Sequence, residues 1–92
     1  MHALPIRTNT QLLGERWLYE QTVKDDTIVT ATWSRTPAAG SSILSTTDNS
    51  TSTRSLFTVT AAGSYLLRVD LVLASGQELF GLIRVFARTV PV

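Results

Sequence analysis

The sequence predicts an all-β protein, a small antiparallel β-sandwich of six or seven strands, and three observations carry that prediction. Over 63–87, GSYLLRVDLVLASGQELFGLIRVFA, side chains alternate with a period of two on either side of a turn at Ala74-Ser75-Gly76, the pattern of a hairpin with one buried face. Upstream, short runs rich in β-branched and aromatic residues are separated by Gly, Pro, Asn and Asp at turn positions, as in sandwiches and barrels. No stretch holds a helical period of apolar residues. A chain of 92 residues makes one domain, near the lower end of what folds on hydrophobic burial alone. Two packed sheets are the arrangement that best buries both Trp residues, with a small barrel as the alternative.

Taken in order, residues 1–14 (MHALPIRTNTQLLG) read as an extended N-terminal segment. Pro5 lacks a backbone donor and Asn9 and Gly14 favour turns, so at most a short edge strand is expected there. A single domain then covers 15–92. In 15–22 (ERWLYEQT), Trp17 and Tyr19 alternate with Arg16, Leu18 and Glu20, which predicts a strand. Lys24-Asp25-Asp26 is a polar turn. The next strand, 27–34 (TIVTATWS), is dense in β-branched residues and places Val29, Ala31 and Trp33 on one face. Pro37 and Gly40 mark a loop in RTPAAGSS. A short strand follows at 43–46, and 47–53 (TDNSTST), the most polar part of the chain, reads as a loop. In 55–60 (SLFTVT), Phe57 and Val59 share a face. After the hairpin, Pro91 in the tail cannot donate to a ladder.

The hairpin carries the functional question. With a three-residue loop and Gly76 left-handed, Tyr65, Leu67, Val69 and Leu71 share a face with Leu79, Ile83, Val85 and Ala87, a coherent core set. The opposite face then holds Leu66, Val72, Phe80, Leu82 and Phe86 among Arg68, Asp70 and Arg84. These five apolar residues are the candidate interface, because apolar patches beyond a few hundred Å² mark interaction sites. Burying ~500 Å² at ~25 cal/mol per Å² would contribute on the order of 12 kcal/mol, before association costs. Two arrangements would remove the patch. The N-terminal segment could fold over it, or a two-residue turn could swap Phe80 and Leu82 into the core.

Composition excludes several classes. The charged fraction is 16% and the formal net charge +1. Arg7, Arg16, Lys24, Arg35, Arg54, Arg68, Arg84 and Arg88 are dispersed rather than clustered, so no nucleic-acid partner is expected. Without cysteine there is no disulfide framework, thiolate metal site or thiol chemistry. The N-terminus lacks a charged region followed by an apolar core, so no signal peptide is expected. No apolar run approaches the ~20 residues of a membrane span, so no membrane partner is expected and synthesis in the cytoplasm is.

Candidate chemistry is sparse, and the expectation is a non-catalytic protein with no cofactor and no metal. His2 is the single histidine, beside Met1, with no carboxylate and nucleophile arranged around it as a triad requires. Asp25 and Asp26, adjacent before a strand, point in opposite directions and cannot flank one bond; turn chemistry explains them. Asp48-Asn49 lacks calcium-loop spacing, and the glycines never form a phosphate-binding motif. Asn49-Ser50-Thr51 matches a glycosylation sequon, relevant only to a eukaryotic secretory protein. Trp33 and Tyr65 are expected in the core. Trp17 and Tyr19 are open between core and a ligand-facing platform.

Two features resemble the immunoglobulin-like family. Ala62-Gly63-Ser64-Tyr65-Leu66-Leu67 resembles the Gly-x-Tyr approach to the penultimate strand, with Tyr65 in the corner position where the phenol bonds back to nearby backbone. Trp33 stands on an early strand, placed to pack across the core toward Leu67. Because Leu67 occupies the position of a cysteine in antibody-type domains, the bacterial and PKD-like branches are the closer resemblance. More narrowly, Asp26-Thr27-Ile28-Val29-Thr30-Ala31-Thr32-Trp33 with Gly63-Ser64-Tyr65 and Ala74-Ser75-Gly76-Gln77 resembles a group of short proteins encoded among tailed-phage virion structural genes. The resemblance covers roughly residues 12–87. It implies an immunoglobulin-like fold and a structural role in a phage or prophage particle, as head decoration or neck or tail connector. It further implies residence in the virion and protein partners, either other virion proteins or further copies in a homo-oligomer. The alternative is a free-standing binding module for a glycan or host-surface ligand, using the aromatics or the 47–53 loop.

Overall fold

The computed structural model describes residues 2–89 and, among them, contains strands and turns without a helix. The strands are β1 (His2–Ala3), β2 (Arg7–Leu12), β3 (Arg16–Thr22), β4 (Ile28–Thr36), β5 (Ser41–Asp48), β6 (Ser52–Val59), β7 (Gly63–Leu73) and β8 (Glu78–Arg88). Since β1 is only two residues long, the strands of ordinary length match the expected six or seven. The expectations for the His2 side chain and for Pro91 fall outside the described residues.

Two sheets form. The larger runs β2–β8–β7–β4, with β1 also on β8, and the smaller runs β3–β6–β5. Pairing is antiparallel except at the start of the chain, where β1 and β2 lie parallel to β8, Arg7 opposite Ile83 through Leu12 opposite Arg88. The N-terminal segment is therefore an edge of the larger sheet. Pro5 falls in the break between β1 and β2, where its missing N–H removes no ladder bond.

The sheets meet face to face. Tyr19, Phe57 and Val59 from the smaller pack on Tyr65, Leu67, Ile83, Val85 and Ala87 from the larger. Edge-on ring contacts link Tyr19 to Phe57 and Phe57 to Tyr65, with centroids 6.2 and 6.4 Å apart, the geometry aromatic quadrupoles favour. A second cluster of Val69, Leu71 and Leu73 is completed by Val23, Ile28, Ala31, Trp33 and Leu79. Trp33 touches both clusters, and its indole N–H donates to Thr53 Oγ1 at 2.9 Å. It stands opposite Val69 on the neighbouring strand, with Arg35 opposite Leu67. Trp33 and Leu67 thus lie side by side in one sheet, not across the core.

Two further expectations are revised. A bulge between Ile28 and Thr30 shifts the register of β4 on β7, so Ile28 joins the core and Val29 is 63% exposed. An extra residue in a strand reverses the alternation beyond it. In the polar run 47–53 the loop is confined to 49–51: Asp48 ends β5, Ser52 opens β6 and Thr53 is fully buried. Thr53 is tolerated there because its hydroxyl donates to Asp48 Oδ1 at 2.6 Å and accepts from Trp33.

At the end of the sandwich, Tyr65 Oη donates to the Ala61 carbonyl at 2.7 Å, the corner bond that the Gly-x-Tyr pattern implied. Gly40 closes on the same ring. Its φ is +79°, and a Cβ there would lie 2.6 Å from Tyr65 Oη. Only glycine satisfies both demands.

Candidate functional site

The turn between β7 and β8 fixes which side chains share a face. Leu73 N–H donates to the Gln77 carbonyl and Gly76 N–H to the Leu73 carbonyl, each at 2.9 Å, with Gly76 at φ +88°. This is the three-residue loop with a left-handed glycine. Tyr65 then stands opposite Val85, Leu67 opposite Ile83 and Leu71 opposite Leu79, all inward. Outward stand Ser64 opposite Phe86, Leu66 opposite Arg84, Arg68 opposite Leu82, Asp70 opposite Phe80 and Val72 opposite Glu78.

All five candidate residues therefore occupy the face of the larger sheet turned away from the core. Phe86 is 39% exposed and Val72 37%, while Leu66, Phe80 and Leu82 are half-buried. Phe80 is partly screened by the Arg68 guanidinium, 4.4 Å from its ring centroid. Asp70 holds that guanidinium through Nε and Nη2 contacts of 3.0 and 2.8 Å, which keeps the cation over the ring. Borders of short hydroxyl side chains flank the apolar stripe. On the β4 side stand Thr30, Thr32, Ser34 and Thr36, opposite Val72, Asp70, Arg68 and Leu66. On the β2 side, Thr8 and Thr10 stand opposite Arg84 and Phe86, and with Asn9 they line a shallow depression against Phe86. The N-terminal segment continues the sheet sideways at this edge and does not fold over the stripe. The face is thus a mixed one, five apolar side chains around the Arg68–Asp70 ion pair, edged by hydroxyl side chains.

The two N-terminal aromatics separate. Tyr19 is core, 5% exposed, and its phenol is engaged twice, donating to Gln11 Oε1 at 3.0 Å and accepting from Asn9 Nδ2 at 2.9 Å. Burial raises its pKa above the ordinary phenol value. Trp17, two residues away, is 42% exposed at the edge of the smaller sheet.

The remaining polar candidates are structural in their contacts. Asp26 caps two turns, accepting from Thr27 N–H at 2.8 Å and from Ser75 Oγ at 2.6 Å, and the Ser75 hydrogen bond lowers its pKa. Asp25 takes φ +60° in the same turn, a conformation Asp tolerates. Asp48 serves Thr53, and Asn49 N–H closes a turn onto the Ser52 carbonyl at 2.7 Å. A groove of about 200 Å³ runs between Leu4, Pro5 and Arg7 and the β3 residues Glu20, Gln21 and Thr22. Arg7 crosses it to the Glu20 carbonyl at 2.7 Å and Gln21 Oε1 at 3.2 Å. Among the described residues, no three His, Cys, Asp or Glu side chains gather in a way that could hold a metal ion.

Sequence reasoning missed Gln11. It is fully buried, donates to the Glu15 and Phe57 carbonyls at 2.7 and 2.9 Å and receives the Tyr19 hydroxyl. Its place in an alternating TNTQL run gave no apolar signal of burial.

The fold and this face define an all-β, two-sheet sandwich with an apolar stripe on the outer side of its larger sheet. No protein-family model matches the chain, and a search of curated proteins finds no match to it.

Proposed function

We propose that this protein is an immunoglobulin-like β-sandwich that acts without catalysis, as a structural part of a tailed-phage or prophage particle, through protein–protein assembly. The strand order supports the fold-family reading. With β3, β6 and β5 in one sheet and β4, β7 and β8 in the other, the layout follows the B-E-D and C-F-G sheets of immunoglobulin-like domains. The first strand joins the last in parallel. The Tyr65–Ala61 corner bond supports the same reading. The phage setting rests on the resemblance of the Asp26–Trp33 strand, Gly63-Ser64-Tyr65 and the Ala74–Gln77 turn to short virion proteins.

The observation that carries the assembly role is the stripe of Leu66, Val72, Phe80, Leu82 and Phe86 on a face that no other element of the described chain covers. Association there would bury five apolar side chains that folding leaves on the outer face of the larger sheet. Phe80→Asp tests it. The variant should keep the β-type circular-dichroism spectrum and lose association through this face, because the new carboxylate would be desolvated opposite Asp70. Loss of folding instead would contradict this placement of Phe80.

A second reading, a binding module for a glycan, is favoured by one observation, the half-exposed indole of Trp17. Saturable binding on a glycan array that disappears in Trp17→Ala would establish it over assembly.

A further inference from the structure

The smaller sheet ends on one side at β3, and this edge differs from the other sheet edges. Natural sheets guard their edges with bulges, prolines, lysines or inward charges. β4 carries the bulge between Ile28 and Thr30, β5 another between Ile43 and Ser45, and β2 is preceded by Pro5. β3, Arg-Trp-Leu-Tyr-Glu-Gln-Thr, has no bulge, proline or lysine and pairs with β6 in unbroken register from Arg16–Thr58 to Thr22–Ser52.

Its backbone polarity follows from two bonds. Val23 N–H donates to the Thr51 carbonyl, continuing the β6 ladder on odd-numbered residues. Arg7 reaches the Glu20 carbonyl from the opposite side. In an antiparallel pair, alternate residues turn both backbone groups outward, so Arg16, Leu18, Glu20 and Thr22 present N–H and C=O to the open edge. Two large apolar side chains stand at that edge without cover, Leu18 at 55% exposed and Trp17 at 42%.

The sequence along this edge is antisymmetric in charge about Leu18. Arg16 precedes it by two residues and Glu20 follows by two. We propose that β3 pairs antiparallel with β3 of a second copy about a two-fold axis at Leu18, joining the smaller sheets of two molecules into one continuous six-stranded sheet. Leu18 then exchanges both backbone hydrogen bonds with Leu18 of the second copy. Arg16 faces Glu20 of the second copy, and Glu20 faces Arg16, so both cross-strand pairs are of opposite charge. On the other face, Trp17 falls opposite Tyr19 of the second copy and gains the cover it lacks. A shift by two residues would set Arg16 against Leu18 and lose both ion pairs, so the charge pattern selects this register. Arg16 has no acidic partner within 4 Å among the described residues, whereas Glu20 pairs with Arg54 on its own sheet. The Glu20 carbonyl has a second lone pair for the incoming Arg16 N–H beside the bond from Arg7. This surface lies on the sheet opposite the Phe80 stripe and is independent of it.

The test uses the full chain carrying Phe80→Asp, so that association through the larger sheet is removed. Its mass is followed by light scattering across a concentration series, and exchange of the Leu18 amide is read by hydrogen exchange. The expected result is a dimer with a protected Leu18 amide. Arg16→Glu alone and Glu20→Arg alone each set like charges opposite one another and should weaken the dimer by about tenfold or more. Mixing the two variants restores opposite charges at both pairs and should restore dimer of mixed composition. A folded monomer with a rapidly exchanging Leu18 amide at every concentration overturns the proposal. So does a dimer whose dissociation constant is unmoved by either charge reversal.

Discussion

Tyr65 and Gly40 are the residues on which the end of the sandwich turns. The Tyr65 hydroxyl reaches back four residues to Ala61, and Gly40 packs on that hydroxyl with a left-handed backbone. Gly40→Ala would meet both a backbone penalty and a contact that Tyr65 can relieve only by giving up its bond. The expected loss of stability is about 2–4 kcal/mol, read as a lower urea midpoint. An equal midpoint would mean that the turn re-forms without the corner bond. Asp26 belongs to the same scale. Its carboxylate is held below the ordinary range by the Ser75 hydroxyl and then by Thr27 N–H. A depressed folded pKa means that this contribution is present above the unfolded value and is lost as pH falls through the folded one. The Asp26 carboxyl resonance should therefore titrate below the ordinary aspartate midpoint, and Ser75→Ala should move it back up. An unchanged midpoint in Ser75→Ala would contradict the assignment of cause.

Elements differ in how far they could be read from the sequence, and the reasons are physical. The two strands of the β7–β8 hairpin were legible because eleven residues each alternate strictly, but their register turned on the loop length, which the sequence left open and which the left-handed Gly76 settles. Tyr65 was legible because its corner pattern is local. The bulge in β4 was not: one extra residue among Ile, Val, Thr and Ala changes no composition, yet it puts Val29 in solvent and Ile28 in the core. The polar run before β6 misled for a related reason. Buried Thr53 and Ser55 carry the inward face of a strand whose hydroxyl chemistry resembles a loop. β2 hid its role most completely, since its inward residues Arg7, Asn9 and Gln11 are polar. Gln11 ties β2 to β3 and β6 through its three hydrogen bonds. Gln11→Leu would remove one hydrogen bond from each of the Glu15 and Phe57 carbonyls and from the Tyr19 hydroxyl, while Thr58 Oγ1 still reaches Glu15 and Asn9 Nδ2 still reaches Tyr19, with an expected cost of about 1–2 kcal/mol. Fast amide exchange along β2 should accompany that loss, and unaltered protection there would show that the parallel pairing to β8 holds the strand unaided. Within the candidate interface, the faces of the five residues followed from loop length. The exposed edge of β3 did not, because Trp17 and Tyr19 share one face of the strand and read alike until the fold buries Tyr19 and leaves Trp17 exposed.

At the scale of the whole molecule, the chain forms a body 49 × 21 × 19 Å in extent, elongated along its strands. The Phe80 stripe occupies the outer face of the larger sheet and the open β3 edge closes one side of the smaller. The two proposed contact surfaces, one through side chains and one through backbone, would let a copy hold two neighbours at once. That is the geometry a structural component needs. The low charge fraction of 16% fits a surface that is partly covered in use. The most direct measurement is the absolute mass of the wild-type chain by light scattering after size exclusion, over a wide dilution series. The assembly account predicts a multiple of 10.1 kDa that persists on dilution and falls when Phe80 is replaced by Asp. A mass of 10.1 kDa at every concentration would contradict self-association and leave the stripe to a different protein.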